Sequence, residues 1–265
     1  MNLIDTHAHL QFKDYNKDRD AVVKRNSKEL EAVINVGAAI DSSKGAVALA
    51  KEVPNFYASI GVHPHHPNQW DSKTLTKLAG EEKVVAVGEI GLDLHTYKPL
   101  RVLRSNELDD YPKPQLKDQT SMLHEQITLA IERNLPIIFH CRDAYDELIN
   151  EIGQYKGTIR GVMHCFIGDA NQAKRFLDFG LYISFSGNIT YKGNNTIREI
   201  AKNVPNGKIL IETDAPYLPP EPYRGKRNEP IYVKMVATKI AELKNLSIEE
   251  ATNITTQNAK ILFKI

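Results

Sequence analysis

Residues 209–216 read ILIETDAP, and this stretch decides which fold the chain predicts. Its first three residues are apolar, as in a strand that is buried on both faces of a sheet. The run continues into Glu212 and Asp214, which a period of two residues places on one face, and Pro216 ends the extended segment. Glu212 should lie deeper, and Asp214 closer to solvent. An apolar strand with carboxylates at its carboxyl end is typical of a site at the edge of a parallel sheet.

The same arrangement recurs along the chain. Short apolar runs predict eight strands, at residues 3–5, 32–36, 56–62, 84–89, 136–140, 160–166, 181–186 and 209–214. Amphipathic stretches with helical spacing separate many of them, at residues 43–51, 119–133, 144–152, 171–179 and 231–243. Residues 247–250, SIEE, predict a capping box that begins the last helix.

Eight strands that alternate with helices over 265 residues predict an α/β protein, a (β/α)₈ TIM barrel formed as a single domain by residues 1–265. A doubly wound open sheet is the alternative. Nearly every predicted strand ends in residues capable of chemistry, and only in a barrel do all such ends converge on one mouth. The pattern therefore favours the barrel, with an active site at the carboxyl ends of its strands.

Residues 97–117 interrupt this alternation. The segment contains three prolines, at positions 99, 112 and 114, and a run of mixed charge. Prolines at this density are unfavourable for both helix and strand. We predict a long loop between the fourth strand and its helix, on the catalytic face of the barrel.

The composition excludes several classes of protein. The chain is 42% hydrophobic and 25% charged, and its formal net charge is +1. These values argue against disorder and against a global attraction to nucleic acid or to an anionic membrane. We expect no membrane span, no signal peptide and no obligate protein partner. The two cysteines, Cys141 and Cys165, are too few for a disulfide framework and indicate a reducing, cytoplasmic location.

Six of the nine histidines lie at or just after the ends of predicted strands. They are His7, His9, His63, His65, His140 and His164. In residues 5–9, DTHAH, two imidazoles at positions i and i+2 of one strand face the same side and can bind one metal ion. A pair of hydrogen-bonded structural histidines is the alternative, although adjacent imidazoles repel each other when they are protonated.

The other candidates are ambiguous when each is considered alone. Glu89 ends a run of small and apolar residues, so its carboxylate needs either a metal ion or a salt bridge with Arg142 or a lysine. His140 and His164 could each be a hydrogen-bonded residue of the core. The two cysteines are interpreted as small apolar barrel residues, because soft thiolates fit poorly beside hard carboxylates.

Considered together, the candidates predict a metal centre with four nitrogens and two carboxylates. The predicted ligands are His7, His9, Glu89, His140, His164 and Asp214. This mixture suits Zn²⁺ or Mn²⁺, and it can hold two ions if Glu89 bridges them. The predicted cofactors are therefore two divalent ions, Mg²⁺, Mn²⁺ or Zn²⁺. Two such ions can activate a water molecule and stabilise an oxyanion, and phosphodiester hydrolysis needs both effects. We predict Asp214 and Glu89 as catalytic residues, with Asp214 accepting the proton of the water.

Further side chains could contact the oxygens of a phosphate substrate. They are His63, His65, Arg142 and Arg224. The sequence contains no GxGxxG segment that opens a helix, no P-loop and no GxSxG elbow. It therefore lacks the signatures of dinucleotide-binding proteins, P-loop NTPases and serine hydrolases.

Seven motifs, in order and all at predicted strand ends, resemble those of the TatD-type metal-dependent hydrolases, a branch of the amidohydrolase superfamily. They are residues 5–10 (DTHAHL), 61–65 (GVHPH), 88–93 (GEIGLD), 138–144 (IFHCRDA), 164–168 (HCFIG), 183–187 (ISFSG) and 212–218 (ETDAPYL). The resemblance runs essentially from end to end. It implies a TIM barrel with metal-dependent deoxyribonuclease activity. In this family the activity includes 3′-to-5′ exonuclease cleavage of single-stranded DNA. The implied partner is therefore DNA, bound transiently as the substrate.

The resemblance also implies that the six predicted ligands bind metal ions, that Glu89 is the bridging ligand, and that His63 and His65 hold the scissile phosphate. Two features depart from the family's pattern. The segment after Asp93 is longer, through residue 117, and Leu94-His95 replaces a more usual aromatic start of this loop. Both features lie where substrate would approach, so they concern the choice of substrate.

Two other functions are compatible with the sequence. The same site could hydrolyse an ester or an amide, such as an aminoacyl–nucleic-acid bond, because related amidohydrolases act on such groups. Alternatively, the barrel could bind a ligand without catalysis, although the presence of all six ligand types argues against this.

Overall fold

Eight parallel strands form one sheet in the computed structural model of the chain, which describes residues 2–96 and 115–265. The strands are β1 (Ile4–Ala8), β2 (Ala32–Val36), β3 (Phe56–Ile60), β4 (Val84–Asp93), β5 (Ile137–Arg142), β6 (Gly161–Met163), β7 (Tyr182–Phe185) and β8 (Ile209–Ile211). Each strand pairs with the next one along the chain, and the sheet closes where Ala8 pairs with Ala215. The predicted barrel is confirmed, and the open-sheet alternative is wrong.

Helices connect the strands and pack against them. They are α1 (Arg19–Glu29), α2 (Ile40–Glu52), α3 (Ser72–Leu78), α4 (Leu116–Glu132), α5 (Tyr145–Ile152), α6 (Ala170–Asp178), α7 (Asn195–Asn203), α8 (Val233–Lys244) and α9 (Ile248–Phe263). The five predicted helical stretches correspond to α2, α4, α5, α6 and α8. Ser247 caps α9 through the predicted reciprocal hydrogen bonds with Glu250. Within residues 2–96 and 115–265, none of the helices combines the length and the apolarity that a membrane span needs.

Several strands end at positions other than those predicted. β4 continues beyond Glu89 because its later residues keep pairing with β5, as far as the pair Asp93 and Arg142. β6 and β8 are shorter than predicted. Cys165 and Asp214 have φ angles of 44° and 57°, and this left-handed backbone cannot continue an extended strand. The period of two therefore does not extend to Asp214.

The predicted loop at residues 97–117 lies mostly outside the described residues, which omit 97–114. Its predicted end is wrong, because α4 already begins at Leu116. The side-chain amide of Gln119 accepts from the backbone N–H of Asp93 at 2.8 Å and donates to its carbonyl oxygen at 3.0 Å. This polar contact anchors the first turn of α4 to the end of β4, and an apolar pattern gives no sign of it.

Irregularities of the sheet lie in strands that carry candidate ligands. Gly88 pairs with Ile138 and Ile90 pairs with Phe139, so Glu89 is one extra residue in β4. The pairing of β1 with β2 also shifts register within β1. A bulge of this kind redirects a side chain and is frequent beside active sites. The sheet therefore positions the Glu89 carboxylate by a local break in its own regularity.

Gly91 provides a test of this part of the sheet. Its φ angle is 154°, and a Cβ atom there would lie 1.8 Å from the carbonyl oxygen of His140. We expect Gly91→Ala to lower the free energy of unfolding by about 2–6 kcal/mol, from overpacking and backbone strain. Urea denaturation followed by circular dichroism measures the change. Gly193→Ala is the control, because a Cβ atom at Gly193 meets nothing within 4 Å; equal unfolding midpoints for the two variants would contradict this expectation.

Candidate metal centre

Five strands bring the six predicted metal ligands to one end of the barrel. They are His7 of β1, His9 just after it, Glu89 of β4, His140 of β5, His164 just after β6 and Asp214 in the segment after β8. Four of them are buried, and His140 and Asp214 are half-buried. Residues that are far apart in the sequence therefore meet, as the convergence of strand ends in a barrel predicts.

The first cluster consists of His7, His9, Glu89 and Asp214. The Nε2 atoms of His7 and His9 lie 3.2 Å apart. Oδ1 of Asp214 lies 3.7 Å from Nε2 of His7 and 3.5 Å from Nε2 of His9. The Glu89 carboxylate lies 3.8 Å from Nε2 of His7 and 3.7 Å from Nε2 of His9. Two nitrogens and two carboxylates thus face one small volume.

Glu89 also belongs to a second cluster, with His140 and His164. Its Oε2 lies 3.6 Å from Nδ1 of His140 and 3.3 Å from Nε2 of His164. These two nitrogens are 3.2 Å apart. Since Oε1 of Glu89 faces His9 while Oε2 faces His164, the carboxylate lies between the two clusters. A bridging ligand requires this position.

The separations within both clusters fit the ligands of divalent metal ions. Nitrogen and oxygen ligands at about 2.0–2.2 Å from an ion lie about 2.8–3.6 Å from each other in octahedral or tetrahedral coordination. The observed distances, from 3.2 to 3.8 Å, are close to this range. Imidazoles combined with carboxylates suit Zn²⁺ and Mn²⁺. The donor set therefore fits a metal centre.

Burial and hydrogen bonds determine the protonation of this centre. Burial raises the pKa of Glu89, but hydrogen bonds with His140 and His164 outweigh it and hold this pKa well below its usual range. Burial, together with the nearby His164, holds the pKa of His7 well below its usual range. An ionised Glu89 and a neutral His7 are the forms that bind metal. Burial also raises the pKa of both cysteine thiols well above the usual value, so they stay protonated.

Three of the candidate histidines have an acceptor beside the ring nitrogen that faces away from the clusters. A backbone carbonyl of β2 accepts from Nδ1 of His9 at 2.8 Å. The Asp93 carboxylate lies 3.2 Å from Nε2 of His140, and the Glu212 carboxylate lies 3.2 Å from Nδ1 of His164. Such acceptors fix the tautomer of a ligating imidazole and increase its basicity.

Asp93 and Glu212 are candidate functional residues that the sequence patterns do not indicate. Both are almost fully buried. The signal that could have found them is chemical, because an imidazole that ligates through one nitrogen needs an acceptor for the other. Asp93 has a further contact, since its Oδ2 also lies 2.9 Å from Nε2 of His65. One carboxylate thus holds a candidate ligand and a candidate substrate contact in fixed positions.

Asp93→Asn tests the contact with His140. We expect the variant to bind Mn²⁺ about 10–100-fold more weakly at one of its sites, because the tautomer and orientation of His140 are no longer fixed. Titration calorimetry with Mn²⁺ measures the affinity. Asp143→Asn is the matched control, since the exposed Asp143 carboxylate pairs with His95 at 2.6 Å. Equal affinities in the two variants would show that Asp93 does not position a ligand.

The structure gives His63 and His65 different environments. Nδ1 of His63 accepts from the backbone N–H of His65 at 3.2 Å, which leaves the ring proton on Nε2. Burial, together with the nearby His140, holds the pKa of His63 well below its usual range. His63 is therefore a neutral hydrogen-bond donor, and its ring centroid lies 4.2 Å from that of His140. His65 directs its Nε2 to Asp93 instead.

The two candidate arginines occupy separate places. Arg142 is the last residue of β5, two positions after His140, and it is half-buried. Arg224 lies in the segment after β8, with its guanidinium 4.5 Å from the ring centre of Tyr191. Its side chain is 62% exposed, and it forms a long ion pair of 3.9 Å with the carboxylate of Glu221. The charge of Arg224 is therefore accessible to an anionic ligand.

Comparisons with known sequences all match the chain to one family of metal-dependent hydrolases. The family model described as TatD related DNase matches residues 4–264. The chain is 40% identical over 268 residues to the uncharacterized metal-dependent hydrolase YabD of Bacillus subtilis, and the match covers 99% of both chains. It is 31% identical over 273 residues to the protein named 3′-5′ ssDNA/RNA exonuclease TatD of Salmonella typhimurium, again with 99% of both chains covered.

Comparison with solved structures agrees with these matches. YjjV, a TatD homolog from Escherichia coli K12, resembles the chain with a TM-score of 0.87 at 30% sequence identity. The similarity covers 99% of this chain and 98% of that one. The likeness therefore extends to the whole barrel and includes the strand ends at which the six candidate ligands lie.

Proposed function

Because the chain belongs to the TatD related DNase family of metal-dependent hydrolases, we propose that it hydrolyses DNA phosphodiester bonds, as a 3′-to-5′ exonuclease on single strands. The observation that carries this proposal is the position of the Glu89 carboxylate between two clusters of metal-ligating side chains. Such a centre suits the hydrolysis of an anionic ester. The name of the Salmonella typhimurium relative supports the same class of substrate.

We propose that the cofactors are two divalent ions, Mg²⁺, Mn²⁺ or Zn²⁺. The first would be held by His7, His9, Glu89 and Asp214, and the second by Glu89, His140 and His164. When bound, such ions stabilise the developing charge on a phosphate and increase the acidity of water. Three observations support this assignment: the types of side chain, the distances between their ligand atoms, and the acceptors that lie beside the outer ring nitrogens of three histidines.

The side chains of the protein supply the other parts of the mechanism. Asp214 accepts a proton from the water whose oxygen attacks the phosphorus. The bond between phosphorus and the 3′-oxygen then breaks, and the same proton passes to this leaving oxygen, which releases a 5′-mononucleotide. His63 donates its Nε2–H to a phosphate oxygen, in keeping with its neutral state. His65, Arg142 and Arg224 are the further phosphate contacts.

Degradation of a 5′-labelled single-stranded oligonucleotide tests the proposal. Metal-stripped protein receives Mg²⁺, Mn²⁺ or Zn²⁺, and the products are separated on a denaturing gel. We expect a metal-dependent ladder that shortens from the 3′ end, whereas a 3′-labelled strand releases only labelled mononucleotide. A preparation of Glu89→Gln, purified in parallel, is the control for contaminating nucleases.

The absence of cleavage with every ion would overturn the nuclease assignment. The same preparation is therefore also assayed with an aminoacyl ester. Turnover of this ester, without cleavage of DNA, would show that the site acts on acyl substrates. If neither substrate reacts and no metal binds, the barrel is a binding scaffold.

Two broader features belong to the same proposal. We propose that residues 1–265 act as one hydrolase domain, which the family match over residues 4–264 supports. A cytoplasmic location stays a prediction from the cysteine content.

A further inference from the structure

Two exposed apolar side chains lie in segments at the mouth of the barrel. Six large apolar side chains are exposed within residues 2–96 and 115–265, and four of these lie on α4 and α9. The other two lie in segments that follow candidate ligands. Ile167 comes three residues after His164, and Tyr217 comes three residues after Asp214. The ring-bearing residue of this pair, Tyr217, is 52% exposed.

The backbone of Tyr217 is held firmly although its side chain is exposed. Its N–H donates to the carbonyl oxygen of Asp214 at 2.8 Å. Its carbonyl oxygen accepts from the Nδ2 atom of Asn228 at 2.6 Å, and the same amide donates to the carbonyl oxygen of Thr213 at 2.9 Å. Asn228 is fully buried. A tyrosine fixed in this way offers a large contact surface at a small cost in conformational entropy.

The ring of Tyr217 lies next to the candidate metal centre. Its centroid is 6.4 Å from that of His9, whose Nε2 belongs to the first cluster. The segment that carries Tyr217 also carries a cation, Arg224. The hydroxyl of Tyr191, over whose ring the Arg224 guanidinium lies, donates to the carbonyl oxygen of Pro219 at 2.9 Å. An exposed ring therefore lies beside a centre that fits phosphate chemistry, and an accessible guanidinium belongs to the same segment of the chain, seven residues after the ring.

We propose that Tyr217 is the stacking platform for the unpaired base next to the scissile phosphate, with Arg224 facing a neighbouring phosphate. This inference rests on the proposed function. Proteins that bind single strands without sequence preference combine aromatic rings with cations in this way. A base inside a duplex has both faces covered by its neighbours, so the platform selects unpaired ends of any sequence.

The test removes the ring and the base separately. Tyr217→Ala, Tyr217→Phe and the wild-type enzyme are assayed on a single-stranded oligonucleotide and on the same strand with a stable tetrahydrofuran abasic residue at its 3′ end. We expect Tyr217→Ala to lower kcat/KM for the natural strand by about 5- to 150-fold, the factor that corresponds to base–aromatic stacking. The change should fall mainly on KM. On the abasic strand, Tyr217→Ala should lower kcat/KM by less than about twofold. Tyr217→Phe should behave as wild type on both strands.

Binding gives a second readout that does not depend on turnover. Fluorescence anisotropy of a labelled oligonucleotide with the metal-free proteins should show weaker binding for Tyr217→Ala, again only when the terminal base is present. Ile261→Ala is the matched control, because Ile261 is 66% exposed on α9. An equal loss on natural and abasic strands would overturn the stacking role. Failure of the wild-type enzyme to cleave either strand would instead overturn the proposed function.

Discussion

Replacing Glu89 with glutamine is expected to remove hydrolysis and reduce the metal content together. The carboxylate lies between the two clusters, with Oε1 facing His9 and Oε2 facing His164. An uncharged amide there weakens both ion sites. Metal ions supply several kcal/mol of transition-state stabilisation. Loss of about 4 kcal/mol corresponds to about a 10³-fold lower kcat, and we expect at least this effect. Elemental analysis after desalting and the oligonucleotide assay measure the two quantities.

Glu199→Gln is the matched control for this substitution. The Glu199 carboxylate is exposed on α7 and pairs with Lys202, so its loss should leave both metal content and rate unchanged. A Glu89→Gln enzyme that keeps two ions and the wild-type rate contradicts the bridging role. Retention of both ions with a greatly reduced rate would show that Glu89 acts on the reaction and is dispensable for metal binding.

The barrel and the meeting of the six candidate ligands could be predicted because both depend on local patterns. Apolar runs that alternate with amphipathic stretches predict the strand order of a barrel, and this order places all carboxyl ends at one mouth. His7 and Asp214 lie 207 positions apart in the sequence, yet their atoms approach to 3.7 Å because β1 and β8 close the sheet. Knowledge of the topology was thus sufficient to bring these side chains together.

The position of Glu89 within its strand could not be predicted in the same way. The sequence indicates a strand that ends at Glu89, whereas β4 continues to Asp93. What places the carboxylate is a register shift against β5, between the pairs Gly88–Ile138 and Ile90–Phe139. Register between two strands depends on contacts that are distant in the sequence, so the pattern within one strand does not contain it.

The partners of the histidines show a second limit. The chemistry of an imidazole ligand requires an acceptor on its outer nitrogen, but several acidic residues lie near the predicted strand ends. Asp93 reaches His140 only because β4 extends four residues past Glu89, and Glu212 reaches His164 from the end of β8. The choice among carboxylates is therefore set by strand lengths and not by spacing within any one motif.

Asp214→Asn is expected to lower kcat by about 10²–10⁴-fold, the usual contribution of a general base. The Asp214 carboxylate lies 3.5 Å from Nε2 of His9 and 3.7 Å from Nε2 of His7, and it is half-buried at the mouth. Asparagine keeps an oxygen at this position but cannot accept the proton of the attacking water. Steady-state kinetics with the single-stranded oligonucleotide measure the loss, and Asp41→Asn, at an exposed carboxylate of α2, is the control.

The pH dependence separates the two functions assigned to Asp214, as a base and as a ligand. Without a general base the attacking water loses its proton to solvent, so the rate of Asp214→Asn should rise about tenfold per pH unit where the wild-type rate is level. A ligand defect predicts a different result, with fewer bound ions, a rate that recovers at high Mn²⁺ and an unchanged pH profile. Normal turnover by Asp214→Asn, with both ions bound, would exclude the general-base role, because no proton acceptor would then be missing from the reaction.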